Sequence, residues 1–199
     1  MGRCATFFLT LVCYCLYQGI LGVFSVIKDP LTSEFHFTES FLGTSPPKAG
    51  IVDGMLDVGR FLATIYMLLF TYTSPTSEIF YNSCGFAVFQ GLMILATWIP
   101  NYSKALFIIS NIGGGYCRNF VIIVYMLVSG TFSNPEDRNI VHIWFTLTSL
   151  GNIISVPFTH WMIYSLNVHW SIPFGIFLAA IFLSALGIKL FVEDIQIEA

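Results

Sequence analysis

Hydrophobic positions run almost without interruption through six stretches of the chain, roughly 5–27, 51–72, 80–99, 105–128, 140–163 and 170–192, with polar or turn-rich joints between them. Runs of about 20 apolar residues match the helix needed to cross a hydrocarbon core about 30 Å thick, where each backbone N–H and C=O must be paired inside the segment. The pattern predicts an all-α fold: an integral membrane bundle of six transmembrane helices, forming one domain over residues 1–199. The joints are short except for residues 28–50, a polar loop holding Lys28, Asp29, Pro30, Glu34 and Lys48, with an amphipathic stretch around Glu34 to Leu42. Six crossings put both termini on one side and this loop on the other. Arg3 ahead of the first run resembles the start of a signal peptide, but the run outlasts a 7–15 residue signal core and has no Ala-x-Ala-like exit, so a retained helix is expected.

Composition sharpens this picture. Hydrophobic residues make up 56% of the 199 and charged residues only 10%, against about 25% charged in a soluble domain. Lipid is therefore the expected solvent for most of the chain, and a multi-pass membrane location follows. The net charge of −3, with no basic run, leaves no electrostatic footprint for nucleic acid. Basic residues do not orient the bundle, since Arg3, Arg138 and Lys189 on the termini side are matched by Lys28, Lys48 and Lys104 opposite. Trp98, Trp161 and Trp170 fall at helix ends on the loop side and Trp144 near the other face, which reads as a pair of interfacial aromatic belts. The five cysteines are expected to pack as small apolar thiols.

Ionisable residues inside the runs are the candidate chemistry. Asp53, Asp57 and Arg60 lie in the second run and Arg118 near the middle of the fourth. Each costs about 2.5 to 3.5 kcal/mol at the centre of a bilayer, so each should face the protein interior or a wet cavity. The i, i+4, i+7 spacing stacks the first three on one helix face and lets Asp57 pair with Arg60. Two readings stand. In one, Arg118 reaches Asp53 or Asp57 and the four residues close a neutral network between helices two and four. In the other, Arg118 or Arg60 offers its fork to an anionic group such as phosphate or carboxylate, or the carboxylates carry a coupling proton. Gly113-Gly114-Gly115 reads as a packing notch or as backbone locally unwound beside a cavity.

No Gly-x-Ser-x-Gly, His-Glu-x-x-His or strand-borne Gly-x-Gly-x-x-Gly occurs, so no enzymatic chemistry, metal or cofactor is expected.

In the fifth run the chain reads Ile143-Trp144-Phe145-Thr146-Leu147-Thr148-Ser149-Leu150-Gly151-Asn152-Ile153. This resembles the helix-five signature Ile-Trp-x-x-x-Thr-Ser-Val-Gly-Asn-Ile of the sugar-phosphate exchangers, relatives of the bacterial glycerol-3-phosphate permease within the major facilitator superfamily. The first run is similar too: Tyr14-x-x-Tyr17, Ser25-Val26-Ile27-Lys28 and Leu31 match that family's Tyr-x-x-Tyr, Ser-Ile-Val-Lys and Leu at the same spacing. The resemblance implies the amino-terminal six-helix half of a major facilitator fold, working by alternating access around a site between two such halves. It also implies losses. The family's phosphate-binding Arg-Lys pair falls on Leu21 and Gly22, its helix-five His on Leu147 or Thr148, and its helix two–three Gly-x-x-x-Asp/Glu-Arg loop on Tyr72 to Glu78.

The expectation is a transporter-like, antiporter-like membrane protein of this superfamily with a changed substrate or no transport. Arg118, Arg60, Asp57 and Tyr17 would line any cavity for a small anionic solute, and a second six-helix half or a homodimer would complete it. The alternative is a membrane scaffold that binds another membrane protein, or a truncated carrier.

Overall fold

The computed structural model describes residues 2–44, 48–69 and 74–193. Nine α-helices appear among them: α1 (Gly2–Phe35), α2 (Glu39–Leu42), α3 (Ile51–Leu69), α4 (Pro75–Leu95), α5 (Ser103–Cys117), α6 (Phe120–Thr131), α7 (Arg138–Leu147), α8 (Leu150–His160) and α9 (Ser171–Phe191). A two-residue antiparallel pairing of β1 (Gly43–Thr44) with β2 (Lys48–Ala49) is the sole departure from an all-helical fold among the described residues. Five segments, Gly2–Phe35, Pro75–Leu95, Pro100–Thr131, Pro135–Ser165 and Ser171–Phe191, are long and apolar enough to cross a membrane, which is compatible with a multi-pass protein. The remaining expected crossing, α3, spans 19 residues, carries Asp53, Asp57 and Arg60, and is not among these five. The end of that expected run, residues 70–72, and the loop tip at 45–47 lie outside the described residues.

Two helix boundaries differ from the apolar pattern for local reasons. The helix of the first run continues through Lys28, Asp29 and Pro30 to Phe35, so part of the expected loop is helical. Ile27 and Leu31 stay fully buried there, while Asp29, Thr32 and Glu34 face out, so an amphipathic turn extends the helix beyond its apolar section. His36, at φ 51°, then ends it in the left-handed conformation. The α4 helix starts five residues earlier than the hydrophobic run. Ser74 accepts the Ser77 N–H on its hydroxyl at 3.4 Å, Pro75 sits in the first turn and Glu78 faces the helix dipole, and these signals outweigh low local hydropathy.

The helices are held in an alternating arrangement by ties at both ends. At one end Arg3 pairs with Asp137 and Lys189 donates to Ser77, joining α1 to the start of α7 and α9 to the start of α4. At the other, Lys28 meets Asp53 and Glu34 meets His169, joining α1 to α3 and to the segment before α9. Both described ends of the chain therefore lie at one end of the bundle. In the interior, α1 packs on α8 and α9, α4 on α5 and α9, and α3 on α5. Tyr17, Phe86 and Phe120 form an edge-on aromatic cluster with centroids 4.9 to 6.3 Å apart. Phe35, Phe37, Phe41 and Phe107 make a second cluster under α2.

Close helix approach depends on glycine at two seams. A Cβ on Gly115 would overlap the Leu56 carbonyl of α3, and one on Gly59 would overlap the Ile112 carbonyl of α5, so each helix lends the other a notch. A Cβ on Gly151, within the helix-five sequence, would overlap the Cys15 carbonyl of α1. Trp144 is not a belt residue. It is fully buried, donates its indole N–H to Thr10 Oγ1 at 3.1 Å and packs edge-on against Tyr14. Trp170 is likewise buried and donates to Glu34, whereas Trp98 and Trp161 are exposed.

Candidate functional site

The long apolar segments Pro100–Thr131 and Pro135–Ser165 are both interrupted. Between α5 and α6, at Arg118 and Asn119, Val121 N–H bonds Arg118 O at 3.1 Å and Ile122 N–H bonds Asn119 O at 3.0 Å, a tightening to i−3 hydrogen bonding. Between α7 and α8, Ser149 N–H bonds Thr146 O at 3.3 Å and Gly151 N–H bonds Thr148 O at 3.2 Å, the same change. The Leu147 carbonyl at that break accepts the Cys15 thiol at 3.4 Å. The Gly113–Gly115 triplet is itself helical and packs against Phe89, Gln90 and Leu56, so it serves as a notch and the break follows it.

The four charges do not close into one network. Lys28, which the extended α1 carries toward α3, takes Asp53, with Nζ 3.0 and 3.4 Å from the two carboxylate oxygens. The Gly50 N–H adds a third bond to Asp53 at 3.3 Å. Asp57 and Arg60 are brought together at 2.8 Å on the outward part of α3. Arg118 reaches neither Asp53 nor Asp57. Its guanidinium lies over the Tyr17 ring, 5.2 Å from the centroid, in cation–π geometry. Tyr17 and Arg118 each sit about 22 Å along from the starts of α1 and α5, at about 1.5 Å per residue, which is the middle of the bundle.

Three side-chain atoms in this middle layer are buried with no hydrogen-bond partner: the Tyr17 hydroxyl, Arg118 Nη1 and Arg60 Nε. Counting Lys28 changes the balance of the cluster, because three cations now face two carboxylates and both carboxylates are taken. Arg118 is the cation left over. A half-buried guanidinium with its buried Nη1 left free and an aromatic face behind it is fitted to accept an anion.

A second feature is a cavity of about 210 Å³ between α1, α3, α4, α5 and α9, with Lys28 and Asp53 on its wall together with Ser25, Gln90 and Asn111. Phe86 also lines it and meets the Tyr17 ring edge-on at 5.1 Å, so one ring separates the cavity from the Arg118 layer. Sequence reasoning missed Gln90, Asn111 and Lys28 as a group. The first two are single uncharged amides inside apolar runs, a weaker signal than a charge, and the third was assigned to a loop.

Comparison of the chain with family models, with curated proteins and with solved structures finds no match.

Proposed function

We propose that this chain is a transporter-like membrane protein of the major facilitator type, with α3 as a sixth crossing and Arg118 as the contact for a small anionic solute. The carrying observation is the buried, unpartnered Arg118 Nη1 in the middle of the bundle. Three further points support the reading. The helix-five and helix-one sequences resemble the sugar-phosphate exchangers. The α3 helix is about 28 Å long at about 1.5 Å per residue, close to a hydrocarbon thickness of about 30 Å. The two interrupted helices resemble the discontinuous spans that carriers build around their sites.

The substrate differs from a sugar phosphate, because Leu21 and Gly22 stand where the resembling family places its cationic grip. Alternating access would proceed without covalent chemistry, and six helices furnish one wall of such a cavity. A second six-helix unit, from another copy or another chain, would supply the facing wall. In the competing scaffold reading a partner's carboxylate meets Arg118 instead of a solute.

The test is binding and counterflow of a panel of small anions, from phosphate and sulfate to short carboxylates and sugar phosphates, with the full chain in liposomes. Saturable binding of one anion that Arg118→Ala abolishes supports the reading, while no anion bound by the wild type refutes it. The sixth crossing is tested with epitope tags at Gly2 and after Ala199. Protection from the same side supports six crossings and protection from opposite sides refutes them.

A further inference from the structure

The cavity beside Lys28 and Asp53 has a donor and acceptor inventory that selects its ligand. The ion pair closes on itself: Asp53 takes both its Lys28 contacts and the Gly50 N–H, so the pair adds no net charge. A charged ligand would therefore lose its hydration without gaining an opposite charge, a cost that disfavours both anions and cations here. What the wall leaves open is mostly acceptors. Gln90 donates through Nε2 to Ser110 O at 3.2 Å and Asn111 through Nδ2 to Phe107 O at 2.8 Å. These bonds fix both amides with their side-chain oxygens accepting no hydrogen bond among the described residues, although Gln90 and Asn111 are 94% and 96% buried. Ser25 donates to Gly22 O at 2.7 Å, which leaves its oxygen lone pairs free, and Lys28 retains an N–H beyond its two contacts to Asp53.

Three acceptors and a donor around an uncharged floor, with the Phe86 ring as an apolar wall, fit a molecule carrying several hydroxyl groups on a compact carbon frame. We propose that this cavity binds a small neutral polyol, a solute of the glycerol-to-monosaccharide class. Its volume of about 210 Å³ holds several waters or one such molecule, and is below the size of a drug-like pocket. Ser25 is exposed and marks the way in. The proposal does not depend on Arg118, which lies over the Tyr17 ring and does not line the cavity.

The experiment measures saturable binding of radiolabelled glycerol, xylitol and glucose to the purified full chain in lipid nanodiscs, with labelled acetate, choline and phosphate as charged comparators. The expected result is saturable binding of at least one polyol. Gln90→Leu should weaken it at least about tenfold, because a site built to hydrogen-bond a hydroxyl rejects the mismatch strongly. Ser25→Trp, at an exposed position where folding is not at stake, should block entry and abolish binding. Arg118→Ala should leave it unchanged, which separates this site from the proposed anion contact. Binding of no polyol, stronger binding of a charged comparator, or polyol binding that survives Ser25→Trp would each overturn the proposal.

Discussion

The two polar centres of this bundle solve the same physical problem in opposite ways. Near one end, Asp53 is satisfied three times, by two contacts from Lys28 and one from the Gly50 amide. In the middle, Arg118 has a ring face and a buried nitrogen with nothing bound to it. Ionisable groups in an apolar bundle are costly in both places. The first centre lowers that cost within the chain itself, and it can do so because α1 overshoots its apolar section and delivers Lys28. The second leaves the cost standing, and the proposed anion contact rests on that difference.

The steepest way to break the comparison is to remove the frame that holds the middle layer. Gly115→Leu would drive a side chain into the Leu56 carbonyl, a backbone group that cannot turn aside. Overpacking of this kind costs about 1–3 kcal/mol where side chains can adjust, so a backbone collision should lie at or above the upper end. The expected outcome is loss of the α3–α5 seam, seen as collapse of the monodisperse peak in detergent gel filtration. Gly54→Leu on the facing helix α3 meets nothing within 4 Å and should be tolerated.

The next effect separates the two centres directly. Lys28→Met strands Asp53 and should destabilise the protein by about 2 kcal/mol, below the 3–5 kcal/mol of a fully buried pair because both side chains are partly exposed. Adding Asp53→Asn should restore part of that loss. Arg118→Met strands no partner, so thermal unfolding in detergent should show it neutral or stabilised in the absence of ligand. A Tm drop for Arg118→Met as large as that for Lys28→Met would mean that Arg118 has a structural partner after all. In a double-mutant cycle, Arg118→Met and Asp57→Asn should be additive within about 0.5 kcal/mol.

Much of this architecture was legible in the sequence and some was hidden for definite reasons. Apolar runs located the long helices because lipid-compatible length is set by composition alone. The carboxyl end of α1 was hidden because Asp29, Pro30 and Glu34 read as a loop, while the periodic burial of Ile27 and Leu31 carried the helix through them. The interruption at Thr148 was hidden because no proline marks it, whereas the one at Arg118 follows directly on the glycine triplet that reads as a notch or as unwound backbone. The spacing of Asp57 and Arg60 foretold a contact on one helix, whereas the choice between Lys28 and Arg118 as the partner of Asp53 depended on how three helices pack. Trp144 looked like an anchor from its position near a helix end and is instead core, because Thr10 offers its indole a buried acceptor.

The smallest effect concerns the Tyr17 hydroxyl, which is buried and unpartnered beside Arg118. Removing a buried polar group that has no hydrogen bond relieves its desolvation, so Tyr17→Phe should stabilise the ligand-free protein by up to about 1 kcal/mol. The ring that Arg118 rests on is kept, and with it the cation–π contact. If the hydroxyl instead helps hold an anion against Arg118, the same substitution should weaken anion binding while raising the ligand-free Tm. Opposite signs in the two measurements would mark Tyr17 as a group kept for a ligand at the expense of the fold. A Tm that falls with Tyr17→Phe would show that the hydroxyl is already bonded within the chain, and the middle centre would then be as self-sufficient as the Lys28–Asp53 pair.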